Sequence, residues 1–306
     1  MPLLLAPTFA QVPPPIAGGE ATADWPAVVA LLAYSASAGY DNFCSGTLIG
    51  PREVLTCAHC VLRMREYLDG GADAYVIFGP DVWSGKEDFR GVDAWRSHEG
   101  YTGDTQTDVE ADTDIGVLHL DTPVTNVEPV EMNAAPVDDT WVGVELDFVG
   151  YGRTAYETND AGYKRHTTMP IAEVGETWVA NEVPGQNICS GDSGSAALRT
   201  FEDGVTRIVG VPEAAFWRDG QDPCATGGGW SLRVDARKEL VESWVAEMAA
   251  DAQPPDTDTG AGEPDDDEEV AAGCGCAAGP LELGGTWVAI AMAAASARRG
   301  RGRISA

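Results

Sequence analysis

Residues 16–250 predict an all-β domain closed by one C-terminal helix. Three observations lead there. Short runs rich in β-branched and aromatic residues recur at Ala27–Tyr34, Gly46–Ile49, Tyr75–Phe78, Ile115–Leu120, Val142–Val149, Ile208–Val211 and Trp230–Val234. Turns rich in Gly, Pro and Asp separate them, and the 306 residues include 36 glycines and 19 prolines, a usage that suits many-turned β proteins and not helical bundles. After the last run, Leu240, Val241, Trp244, Val245 and Met248 recur at helical spacing behind Asp235, which can cap a helix. No internal repeat of fixed period is visible.

The composition is that of a globular protein, with 44% apolar residues. The formal net charge is −30, and residues 16–250 alone hold 39 acidic against 15 basic side chains. Phosphate contacts need Lys and Arg, so nucleic-acid binding is set aside. The acidity itself reads as solubility. Seven cysteines, an odd number, leave one thiol free or modified in an exported chain.

The two ends carry different signals. Residues 1–10 are apolar but lack a basic leader region, and read as a truncated signal peptide cut after Ala10. Gln11–Pro15 then form a short propeptide. Residues 251–273 read as an acidic disordered linker, because Pro254-Pro255 and the run Asp265–Glu269 cannot bury apolar area. Residues 274–306 bring Cys274-Gly-Cys276, a short apolar helix over about Leu281–Ala297, and Arg298, Arg299, Arg301 and Arg303. The apolar stretch is shorter than the ~20 residues that cross a bilayer. That order of elements resembles the C-terminal sorting signal of myxobacterial surface proteins, MYXO-CTERM. The resemblance implies processing at the cysteine motif by sorting machinery and retention at the cell surface.

Three segments carry chemistry. In Cys189-Ser-Gly-Asp-Ser193-Gly-Ser195 a serine lies between glycines, whose backbone N–H groups can approach a substrate carbonyl. Alone, such a tetrapeptide also fits an ordinary turn. In Leu55-Thr-Cys-Ala-His59-Cys60 a histidine stands beside a cysteine that can anchor it. In Asp112-Thr-Asp114-Ile an aspartate leads into an apolar strand, where a buried carboxylate needs a partner; a plain strand-start turn uses Asp as well.

Together and in this order these segments resemble the trypsin/chymotrypsin family of serine proteases. Ile16-Ala-Gly-Gly19, Cys44-Ser-Gly-Thr-Leu-Ile49 and Gly229-Trp-Ser-Leu-Arg-Val234 agree with it, so the likeness spans residues 16–250. It implies two six-stranded antiparallel β-barrels with a C-terminal helix. It makes Ser193 the nucleophile, His59 the general base and Asp114 the orienting carboxylate. Gly191 and Ser193 supply the oxyanion N–H groups. Disulfides Cys44–Cys60 and Cys189–Cys224 are implied, and Asp192 pairs with a new amine at Ile16 after zymogen cleavage. Asn187, Phe216 and Gly229 form the substrate pocket. Asn187 stands at its base in place of an aspartate, which implies a neutral, medium-sized preference.

The chain departs from the family in four places. Ser195 and Ala196 replace Gly and Pro. Cys57 replaces a small residue and reads as a buried, inert thiol. Pro15 precedes Ile16 where a basic residue is usual, so a different activating protease is implied. The expected function is a secreted, surface-anchored serine endopeptidase, monomeric and acting on protein or peptide substrates. The alternative is a catalytically silent binding or adhesion protein on the same fold. A metal enzyme is disfavoured by the lack of His-Glu-x-x-His. No cofactor is expected, although the acidic stretches Asp69–Asp73 and Asp104–Asp114 leave room for a structural Ca²⁺.

Overall fold

A computed structural model describes residues 16–17, 19–103, 113–216, 222 and 224–251. The expected leader and propeptide, the sorting tail, and the linker beyond Asp251 lie outside the described residues. The chain divides into two units, Met1–Asp256 and Thr257–Ala306.

Fifteen strands and two α-helices follow in chain order among the described residues. They are β1 (Glu20–Ala21), β2 (Val28–Ser35), β3 (Gly39–Leu48), β4 (Glu53–Thr56), α1 (Ala58–Asp69), β5 (Asp73–Phe78), β6 (Asp88–Ser97), β7 (Gly116–Leu120), β8 (Glu131–Met132) and β9 (Glu145–Gly150). Then come β10 (Arg165–Pro170), β11 (Glu173–Val174), β12 (Trp178–Asn181), β13 (Ala196–Thr200), β14 (Thr206–Phe216), β15 (Gly228–Arg233) and α2 (Val234–Asp251).

The first half closes into the expected six-stranded barrel, in the order β2-β3-β4-β7-β6-β5. The second half is a nine-stranded sheet in the order β1-β10-β9-β13-β14-β15-β12-β11, with β8 added parallel to β14. Its six central strands are those of the second expected unit, and three two-residue strands extend it. Ile171 and Ala172 join β10 directly to β11, which pairs with β12, so the sheet curls back on itself.

Val28 to Ala33 are buried without alternation. A strand covered on both faces loses its polar positions, and here the second half covers β2: the Tyr151 hydroxyl donates to the Val28 carbonyl at 3.1 Å. One hydrophobic cluster therefore runs from Val28 and Leu118 in the barrel to Val149, Ile208 and Trp244 in the second half. The segments that carry Ser45 and Ser193 meet at this junction.

Two expectations need correction. α1 was not foreseen, although Cys60, Val61 and Met64 are buried at helical spacing. Asp235 lies inside the first turn of α2. Its carboxylate accepts from the Val137 N–H and pairs with Arg233, so it ties the helix to the sheet instead of capping it. Among the described residues no helix is long and apolar enough to cross a membrane.

Candidate active site

Strands β4 and β7 are antiparallel neighbours, with Thr56 opposite Gly116. The chain leaves β4 at the same end where it enters β7. His59, three residues beyond Thr56, and Asp114, two before Gly116, therefore emerge side by side. The carboxylate grips the histidine twice. The His59 backbone N–H donates to Asp114 Oδ1 at 2.8 Å, and the ring Nδ1–H donates to Oδ2 at 2.6 Å. Asp114 is 6% exposed, and the His59 side chain keeps an open face. A carboxylate acceptor at Nδ1 fixes the tautomer and leaves Nε2 as a lone-pair base.

Ser193 arrives from the other half of the molecule. Its turn is held against the barrel by Ser45, a residue the sequence reading passed over. The Ser45 N–H donates to the Ser193 carbonyl at 2.9 Å, and its hydroxyl donates to the Gly191 carbonyl at 2.7 Å. The only signal for it was its place after Cys44. Gly194 has φ +80°, and a Cβ there would fall 2.1 Å from Thr56 Oγ1. Only glycine lets the turn dock so closely. The N–H groups of Asp192, Gly194 and Ser195 are bonded within the protein. Those of Gly191 and Ser193 have no protein acceptor among the described residues.

Pro212 and Glu213, on β14, link the two sides. The Cys57 thiol and the Gly194 N–H both approach the Pro212 carbonyl, at 3.3 and 2.7 Å. The Ser193 hydroxyl donates to the Glu213 carbonyl at 3.2 Å. It makes no hydrogen bond to His59 here, although Cys60 Sγ, next to the histidine, lies 3.5 Å from the Ser193 carbonyl. Both expected disulfides are present, Cys44–Cys60 and Cys189–Cys224, and Cys57 is the free, buried cysteine among the described residues. Burial, then the charges of Asp114 and Glu213, pushes its thiol well above the usual range.

Asp192 is buried. It accepts from the Gly152 N–H at 2.7 Å and the Cys189 N–H at 2.9 Å, and forms no ion pair among the described residues. Burial pushes its carboxyl up to about 6. Ile16 is buried too, and its neighbour Ala17 accepts from the Asn187 N–H and packs on the Cys189–Cys224 bridge. Asn187 is fully buried, and its amide donates to the Gly228 carbonyl and accepts from the Ile188 N–H. Gly229 lies opposite Ala215. The Phe216 ring sits against Trp230, 4.8 Å between centroids.

Among the described residues, triads of metal-ligating side chains converge at Cys44, His59 and Cys60 and at Cys57, His59 and Asp114. The first is bound up in a disulfide. Asp69 and Asp73 join no such group, and 104–112 lie outside the described residues.

A family model described as Trypsin matches residues 16–226. The chain belongs to the trypsin family. At that level it is of serine-peptidase type. Its relatives include a trypsin from Saccharopolyspora erythraea, 26% identical over 78% of this chain and 90% of that protein. The CLIP domain-containing serine protease B10 of Anopheles gambiae is 30% identical over 53% of this chain. Glucanase inhibitor protein 3 of Phytophthora infestans is 26% identical over 52%. The matched region spans 49% and 62% of those last two proteins. The family thus includes a relative named for inhibition as well as ones named for proteolysis.

Proposed function

We propose that this trypsin-family chain is a serine endopeptidase in which Ser193, His59 and Asp114 act as the triad. One observation carries the reading: a buried carboxylate holds His59 by both its backbone and its ring, beside Ser193, whose own N–H and that of Gly191 have no protein acceptor among the described residues. Ser193 Oγ attacks the scissile carbonyl while His59 Nε2 takes its proton. The imidazolium then forms against the Asp114 carboxylate, and returns the proton to the leaving amine. The N–H groups of Gly191 and Ser193 receive the oxyanion. Water repeats the sequence on the acyl-enzyme. These groups supply the whole reaction, so the reading assigns it no cofactor. A structural Ca²⁺ stays a proposal for the acidic stretch 104–114.

The pocket favours a smaller side chain than the medium-sized one the sequence implied. The Asn187 amide is held by the backbone and presents no charge. Ile188 fills the space beside Gly229: a Cβ at that glycine would meet its side-chain carbons at 2.9 and 3.0 Å. A small neutral side chain before the scissile bond fits such a site. Cutting before Ile16 would create an ammonium for Asp192, and Pro15 assigns that cut to a protease without trypsin-like taste. Secretion, anchoring through residues 274–306 and a monomeric state complete the proposal.

The second reading, a silent binding protein, is favoured by the Ser193 hydroxyl pointing to Glu213 instead of His59, and by the relative named as an inhibitor. Residues 16–250 bearing a native Ile16 amine, treated with a fluorophosphonate probe beside Ser193→Ala, separate the two. Labelling in the parent and none in the variant supports the peptidase. No labelling of the folded parent leaves the binding protein.

A further inference from the structure

The catalytic dyad has a third neighbour that peptide hydrolysis does not use. Cys57 immediately precedes α1, and its thiol makes no helix cap. It turns inward instead. Its sulfur, a ring nitrogen of His59 and a carboxylate oxygen of Asp114 all lie within 4.8 Å of one another. We propose that Cys57, His59 and Asp114 form a Zn²⁺ site that switches the enzyme off.

The donor set argues for that ion. Thiolate, imidazole and carboxylate together match the mixed ligands of zinc centres that keep one position open. Ligand–zinc distances of ~2.0–2.3 Å put tetrahedral donors about 3.3–3.6 Å apart. The Nδ1–Oδ2 pair at 2.6 Å must therefore open by up to ~1 Å, and the sulfur, which lies within 4.8 Å of the other two donors, must come to that spacing. All three residues sit where β4 ends and β7 begins. Access comes from the His59 side, because the imidazole has an open face while Cys57 is fully buried.

The bond changes are simple. Zinc takes the place of the proton shared between Nδ1 and Oδ2. The Cys57 thiol loses its proton to solvent and becomes a thiolate ligand. The ring proton moves to Nε2, so His59 can no longer accept the Ser193 proton. The inhibition, though not the binding, rests on the peptidase reading above.

The test uses the full chain with Cys274→Ser and Cys276→Ser, which removes the other thiols able to hold metal. Ser193→Ala is added so that binding is read without catalysis. Co²⁺ titration is expected to give one equivalent bound, with thiolate-to-cobalt charge-transfer absorption, displaced by Zn²⁺. Cys57→Ala should abolish that absorption and weaken Zn²⁺ binding by more than the ~10–100-fold typical of losing an outer-shell partner. Cys57→Ser, with its fold checked by near-UV circular dichroism, guards against loss of structure. Absence of the thiolate band, or equal binding by the folded Cys57 variants, overturns the site. Chelator-reversible loss of fluorophosphonate labelling in processed protein with intact Ser193 is the functional counterpart. If the probe never labels, the peptidase reading fails while the cobalt band still decides the metal site.

Discussion

Ser45 holds Ser193 from across the junction between the barrel and the second sheet. Its N–H meets the Ser193 carbonyl at 2.9 Å, while its hydroxyl donates to Gly191 and accepts from the Tyr151 N–H at 3.1 Å. Ser45→Ala would leave a buried carbonyl and a buried N–H without their partner, at about 1–3 kcal/mol. Urea unfolding should show that loss. As Ser45 acts through the turn of the proposed nucleophile, kcat should fall with KM little changed; an unchanged kcat would remove it from the positioning network.

Gly194 has a built-in control. Gly204 has nearly the same φ, +78°, but an added Cβ there meets nothing within 4 Å. Both Gly→Ala changes carry the strain of the left-handed region, of order 1–3 kcal/mol. Gly194→Ala adds a clash with Thr56 Oγ1 and the Ser45 carbonyl. It should abolish fluorophosphonate labelling, and Gly204→Ala should keep it. Equal labelling of both would mean that close docking of the turn is unnecessary.

Asp192 sets a pH dependence on the uncut chain. Its folded carboxyl is raised to about 6 by burial, against an ordinary ~3.9. Between those values the folded chain keeps a proton that the unfolded chain has lost. Stability is therefore full below pH ~4 and falls by about 3 kcal/mol as pH rises to ~6, then stays level. Urea midpoints of uncut protein and uncut Asp192→Asn across pH 4–7 read the difference. After cleavage the Ile16 ammonium should remove the fall. The same slope with and without Asp192 would contradict this.

Cys44–Cys60 closes a loop of sequence separation 16 around the His59 segment. Loop-closure entropy puts its contribution near 3 kcal/mol. Denaturation of Cys44→Ser/Cys60→Ser should show a loss of about that size, with slower labelling, as the start of α1 is no longer tied to β3.

Ile188, beside Gly229, is the residue proposed to limit the substrate. Ile188→Ala removes carbons beside Gly229 and should cost about 2–4 kcal/mol as a buried truncation. Peptide-library profiling should shift its preference towards larger neutral side chains. An unchanged profile would place the specificity elsewhere.

The sequence by itself determined the family and the fold class, and pointed to the residues proposed to carry the chemistry. His59, Asp114 and Ser193 stood in local motifs, and the disulfide cysteines followed from the family resemblance. Runs such as Tyr75–Phe78 and Ile115–Leu120 were legible because one strand's side chains alternate or bury locally. β6, which spans Asp88–Ser97 and is half exposed, was not legible, because polar strands carry no such signal. Tertiary structure alone decided how the halves meet. Ser45 lies 148 positions before Ser193, and Cys57 lies 155 before Pro212. No local pattern records contacts of that range. They exist because strand register brings β4 and β7 out at one end, and because the second sheet buries β2 and sets its Ser193 turn against that end.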